Sequence, residues 1–158
     1  MRQFITSSAG KEVFERTYDE ALSVALKNGT SPQRMIVEPI PPGWNGAIVP
    51  GKDYNVWLDQ IMGVYGRGKP SMLQDLERGR LTEIDFINGY VAQVGKQIGI
   101  PVPMNAAITD LVHQIERGKT QREAGLLDEL LQVTVSKTRD KTVPGLEIIC
   151  FLPGLGSS

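Results

Sequence analysis

Between Thr30 and Lys52 the chain carries Pro39, Pro41, Pro42 and Pro50 together with Gly43, Gly46 and Gly51. Proline fixes φ and removes a backbone donor, so this stretch cannot be regular helix and is a poor central strand. A connection this long is unusual in a compact domain and is either mobile or functional. On both sides of it the apolar residues recur at helical spacing. The chain therefore reads as predominantly α, built from helices that proline and glycine separate.

From Ala9 to Asn28 the stripe is Val13, Phe14, Tyr18, Ala21, Leu22 and Ala25, preceded by Ser7 and Ser8 and closed by Asn28-Gly29. Both closing residues tolerate the left-handed conformation that ends helices. Asp53 is expected to cap a second helix to about Tyr65, with Val56, Trp57, Ile61 and Met62 facing inward. Ser71 is expected to cap a short helix through Arg78, which Gly79 ends. Thr82 then starts a longer helix to about Ile98, burying Ile84, Ile87, Val91, Val94 and Ile98. Gly99 to Pro103 breaks that helix, Asn105 caps another to about Glu116, and Glu123 to Val135 forms one more. Leu146 to Leu152, lying between Pro144 and Pro153, is a short strand or an extended docking tail.

The 158 residues suit one domain or a small core with an appendage. A formal net charge of -1, with dispersed lysines and arginines, gives no electrostatic footprint for nucleic acid or an anionic membrane. The single cysteine, Cys150, excludes an intrachain disulfide and a cysteine-based zinc site, and the single histidine, His113, excludes a multi-histidine metal centre. No apolar run approaches the roughly 20 residues that span a bilayer, and no leader pattern opens the chain. A cytoplasmic protein is the expectation.

Polar residues of little packing value collect between Pro70 and Asn105. Glu83 lies in Thr82-Glu83-Ile84-Asp85, where Thr82 and Asp85 have capping-box spacing. A first-turn carboxylate has an ordinary explanation in the helix dipole. Asp85 is the better capper, which leaves Glu83 free to point elsewhere. Ser71 is an N-cap, or a group that presents its hydroxyl and nearby amides to a substrate carboxylate. Asn88-Gly89 reads as a mid-helix pair, with glycine permitting close helix approach and asparagine bonding across. His113 reads as a half-exposed structural residue, and Cys150 has no neighbouring base or cation to activate it. Gly66-Arg67-Gly68-Lys69 lacks Walker spacing, and no G-x-G-x-x-G follows a strand within these residues.

Ser71-Met72, Gln74-Asp75, Gly79-Arg80, Thr82-Glu83-Ile84-Asp85, Asn88-Gly89, Gly99, Pro101 and Pro103-x-Asn105 together resemble the C-terminal domain of ketopantoate reductase (2-dehydropantoate 2-reductase). The helix from Lys11 to Asn28 is similar to the one that precedes this block in the family, and the resemblance covers roughly residues 9 to 117. It implies an all-α fold of the 6-phosphogluconate-dehydrogenase-type C-terminal class, here with a long Pro/Gly-rich loop and an extended C-terminal tail. Residues 1–117 would form the family domain without its first helices, and 118–158 an additional helix and tail.

In that family a Rossmann domain binds NADPH, hydride goes to the keto carbon of ketopantoate, and a lysine protonates the developing alkoxide. The resemblance assigns substrate binding to Ser71 and a catalytic role to Glu83. It assigns no cofactor to these residues, because no dinucleotide motif is present, and no proton donor, because neither Lys11 nor Lys27 matches the family's lysine. The expectation is thus a substrate-binding and dimerising domain, inactive without its cofactor-binding partner. A small 2-oxo acid is its ligand and a homodimer its assembly. The alternatives are a non-catalytic homodimeric interaction module derived from that domain, and an unrelated helical enzyme using Glu83 and Asp75 as an acid/base pair.

Overall fold

The computed structural model describes residues 7–34, 37–44, 53–65, 68–121 and 125–139. Among these, all regular structure is helical. The elements are α1 (Ser8–Lys27), α2 (Tyr54–Tyr65), α3 (Ser71–Glu77), a 3-10 turn (Ile84–Phe86), α4 (Asn88–Ile98), α5 (Pro103–Glu116) and α6 (Leu126–Arg139). The Leu146–Leu152 strand or tail and Cys150 lie outside the described residues.

α1 begins as its sequence dictates. The Ser7 hydroxyl accepts from the Gly10 amide at 3.0 Å, and Gly29, at φ 79°, closes the far end in the left-handed region. Asp53 accepts from the Asn55 amide at 2.6 Å and so starts α2. Trp57 and Ile61 are buried as their spacing requires, but Val56 is exposed. The aromatic Trp57 fills the α1–α2 contact, packing on Tyr18 at 5.4 Å and Phe14 at 6.5 Å between ring centroids. That turns the neighbouring Val56 outward. Segments 30–34 and 37–44 contain no strand or α-helix, in keeping with their prolines.

The core lies where α1, α4, α5 and α6 meet. Val13, Met104, Ala107 and Leu130 form one buried cluster, and Val24, Val94 and Val102 form a second at the other end of α1. Met104 is 0% exposed and belongs to the turn that begins α5, so the entry of α5 is the centre of the packing. α6 packs on both α1 and α5, and Arg16 of α1 donates to the Thr134 hydroxyl at 3.4 Å. The Gly99–Pro103 break forms as expected, with Gly99 at φ 74°.

The starts of α3, α4 and α5 differ from the sequence expectation. Pro70, not Ser71, is the residue flanking α3, and Ser71 is its first helical residue. Proline fixes φ for the entry, so no side-chain cap is used there. The longer helix does not begin at Thr82. A 3-10 turn covers Ile84–Phe86, Ile87 takes φ -108° and ψ -91°, and α4 starts at Asn88. Ile84 is buried at 1% exposure, whereas Ile87 is 48% exposed. The kink at Ile87 breaks the 3.6-residue phase that would have placed both on one face.

Candidate functional site

Thr82 owes its place to a residue far along the chain. Its amide and its hydroxyl both donate to Glu116 Oε1, at 2.7 and 2.8 Å, across 34 positions. The Thr82 hydroxyl also accepts from the Ile84 amide at 3.3 Å. The capping box with Asp85 does not form, because Asp85 turns to His113, whose Nε2 lies 3.1 Å from Asp85 Oδ1. Glu83 stands between these two anchors, exposed, with its carbonyl accepting from the Phe86 amide at 2.9 Å. No hydrogen bond or ion pair among the described residues holds its carboxylate.

Asn88 opens α4 instead of lying mid-helix, and its Nδ2 donates to Asn105 Oδ1 at 2.9 Å. The expected bond across helices is thus present. Gly89 permits the approach: a Cβ there would stand 3.3 Å from the Ile84 carbonyl oxygen and 3.5 Å from Thr109 Cγ2. Asn105 is not an N-cap. It is the third residue of α5, 1% exposed, and its Nδ2 donates to the Thr17 carbonyl at 3.1 Å and to Glu20 Oε2 at 2.7 Å.

Glu20 supplies the cap that Asn105 was expected to give. Its carboxylate accepts from the Met104 amide at 2.8 Å and the Asn105 amide at 2.9 Å, two of the donors that a helix start leaves unpaired. Burial pushes the Glu20 carboxyl above the ordinary glutamate range, opposed by the bonds from Asn105 and Met104 and reinforced by Asp19. Sequence reading missed Glu20, Thr17 and Glu116. Glu20 is one acid among several on an amphipathic helix, and nothing local marks it as the partner of a turn 85 residues away.

Ser71 is exposed at the start of α3, and α3 packs extensively on no other helix. No bond among the described residues joins Ser71 to Glu83, or Asp75 to Glu83; the Asp75 carbonyl instead closes the α3 exit by accepting from the Arg80 amide at 2.9 Å. Close to Glu83 in the chain, large apolar side chains are uncovered: Leu81 is 81% exposed, Phe86 84%, and Ile87 and Tyr90 are also exposed. A separate cleft of about 370 Å³ lies between α1, α2 and the Pro41–Trp44 segment, walled by Phe14, Tyr18, Trp44, Tyr54 and Trp57. The Tyr18 hydroxyl there donates to the Pro39 carbonyl at 2.6 Å, and Trp57 Nε1 to the Glu38 carbonyl at 2.6 Å. Among the described residues no group of three or more His, Cys, Asp or Glu is placed to hold a metal, and no helix is long and apolar enough to cross a membrane.

This is a helical domain whose turn before α4 presents a free carboxylate amid uncovered apolar side chains. Residues 1–116 match the family described as Ketopantoate reductase PanE/ApbA C terminal, and the chain belongs to that family. The reading as an unrelated helical enzyme is thereby removed. Over 103 residues the chain is 30% identical to a 2-dehydropantoate 2-reductase of Aquifex aeolicus, covering 65% of this chain and 28% of that protein. It is 46% identical over 50 residues to the enzyme of that name from Archaeoglobus fulgidus, covering 32% of this chain and 17% of the relative. Among solved structures, a PanE/ApbA family ketopantoate reductase from Ralstonia eutropha JMP134 is similar at a TM-score of 0.55 and 26% identity, over 75% of this chain and 34% of that one. The chain thus matches well under half the length of each of these proteins.

Proposed function

We propose that this domain supplies the substrate-contacting side of an NADPH-dependent reduction of a small 2-oxo acid, with ketopantoate the foremost candidate. Ser71 binds substrate and Glu83 assists catalysis. The observation that carries this reading is the exposure of Leu81 and Phe86 beside the free Glu83 carboxylate, in a domain of this family. Apolar side chains left open around a carboxylate suit a surface that closes over a ligand and a second unit, where exclusion of water strengthens each polar contact.

Reduction of a 2-oxo acid adds hydride to the keto carbon and a proton to the alkoxide oxygen that forms. Bound NADPH would supply the hydride. No glycine-rich turn between a strand and a helix occurs among the described residues, so none of them is assigned to the cofactor. Proton donation falls to a lysine of the cofactor-binding unit, as the family resemblance implies. In this scheme the Ser71 hydroxyl donates to the substrate carboxylate, and Glu83 accepts from the substrate hydroxyl or the lysine ammonium, holding the donor in line with the alkoxide.

The test is to combine the chain with a separately produced cofactor-binding domain carrying that lysine and to follow NADPH oxidation with ketopantoate. Turnover is expected, and Glu83→Gln should lower kcat by about 10²-fold. Absence of turnover, joined to unmoved Ser71 and Glu83 NMR signals on addition of ketopantoate, would end this reading. A second reading, a non-catalytic homodimeric module, is favoured by the same exposed residues Leu81, Phe86, Ile87 and Tyr90, which suit self-association when no other unit covers them.

A further inference from the structure

One face of α5 meets the turn that carries Glu83 and the start of α4 at four successive points. Asn105 Oδ1 accepts from Asn88 at 2.9 Å, Thr109 lies under Gly89, His113 reaches Asp85 at 3.1 Å, and Glu116 accepts twice from Thr82. The four α5 positions are spaced four, four and three residues apart, which is a single stripe along a helix. From Thr109 onward their partners, Gly89, Asp85 and Thr82, run in the opposite order along the chain. The turn is therefore laid antiparallel along α5 and fixed at both ends and in between.

We propose that His113 and Glu116 are positioning residues for Glu83, setting the direction of its carboxylate through Asp85 and Thr82. Neither holds the Glu83 side chain. They fix the residue before it and the second residue after it, so the backbone that aims the carboxylate has little freedom. The turn's own resources are small: a three-residue 3-10 segment has poor hydrogen-bond geometry and no persistence alone. The buried Ile84 side chain sets the depth of the turn but leaves rotation about it open. The charged acceptor at Glu116, bonded to both the amide and the hydroxyl of Thr82, removes that rotation. At the other end Glu20 takes the Asn105 amide group, which turns Asn105 Oδ1 toward Asn88 and fixes the start of α4.

The functional consequence rests on the reading of Glu83 as a substrate-side residue; the positioning itself does not. Glu116→Ala removes the Thr82 acceptor, whereas Glu116→Gln keeps a carbonyl oxygen that can accept both bonds. In the free chain, Glu116→Ala should speed amide exchange of Phe86 and Ile87 by about tenfold or more and shift the Glu83 amide resonance, while Leu130 in α6 stays unchanged. Glu116→Gln should restore the wild-type pattern. His113→Gln, at a partly exposed position within the stripe, should give a smaller change of the same kind if Glu116→Ala fails to fold. Unaltered exchange and an unmoved Glu83 signal in both variants would overturn the positioning.

The functional arm uses the complemented reductase. Glu116→Ala should lower kcat about tenfold, leave the KM for NADPH unchanged, and have no further effect once Glu83 is alanine. Additive losses in the double variant would show that Glu116 acts on stability alone, and would overturn the inference that it acts through Glu83. A wild-type combination without turnover would sink the reductase reading, while the exchange measurements would still decide whether the stripe aims Glu83.

Discussion

Glu20 shows how one buried acid can carry several constraints. Its two oxygens receive the Met104 and Asn105 amides and the Asn105 side chain, and burial still leaves its carboxyl easier to protonate than an exposed glutamate. A folded state that holds the proton more tightly than the unfolded chain loses stability as pH rises. The contribution of Glu20 is complete below the unfolded glutamate value of about 4.3 and is lost as pH climbs through the raised folded value. Glu20→Gln cannot titrate, so relative to it the wild type should lose stability as pH rises, with the gap in its favour widest in acid and narrower near neutrality. Urea unfolding of both proteins across that range measures this. A gap that widens toward neutral pH would mean that the site prefers the carboxylate.

At the scale of the elements, α4 and the chain that follows it approach closely at Gly95. A Cβ on Gly95 would stand 2.8 Å from Val102 Cγ2 and 2.9 Å from the Ile100 carbonyl oxygen, because the chain turns back directly over α4 after Gly99. Alanine gains helix propensity of about 0.8–1 kcal/mol, but overpacking against backbone costs about 1–3 kcal/mol. Gly95→Ala should lower Tm, with a net loss of up to about 2 kcal/mol. Gly63 in α2 meets nothing within 4 Å, so Gly63→Ala should raise stability by about 0.5–1 kcal/mol. Thermal unfolding of the two variants would give opposite signs; a stabilised Gly95→Ala would show that Val102 and Ile100 can retreat.

Helix existence was legible, and helix starts were legible only where the cap was local. Ser7 and Asp53 bond amides two or three residues ahead, within the reach of a motif. Thr82 and Asn105 have the same residue chemistry but pair with Glu116 and Glu20, so their motifs pointed to the wrong register.

At the scale of the whole molecule, the described helices bury two apolar clusters and leave a third apolar group, Leu81, Phe86, Ile87 and Tyr90, in the open. If self-association covers it, sedimentation velocity should show a concentration-dependent dimer that Phe86→Ser weakens with no loss of Tm, since Phe86 packs little within the domain. A strictly monomeric chain across the micromolar range would count against the homodimer and leave the surface to a ligand and a cofactor-binding unit. The aromatic cleft near α2 was anticipated neither by the motifs nor by the family resemblance. Its walls come from α1, from the Pro41–Trp44 segment and from α2, and no sequence window spans all three.

The sequence by itself determined that the chain is helical, where proline and glycine divide it, and which family it belongs to. These depend on local spacing and residue type, which a linear reading contains. The tertiary structure decided where α4 begins, that Glu20 caps α5, and that a stripe of α5 holds the turn bearing Glu83. Those outcomes depend on which of several acids and amides meet after the helices pack, a competition settled by burial and not by neighbouring residues.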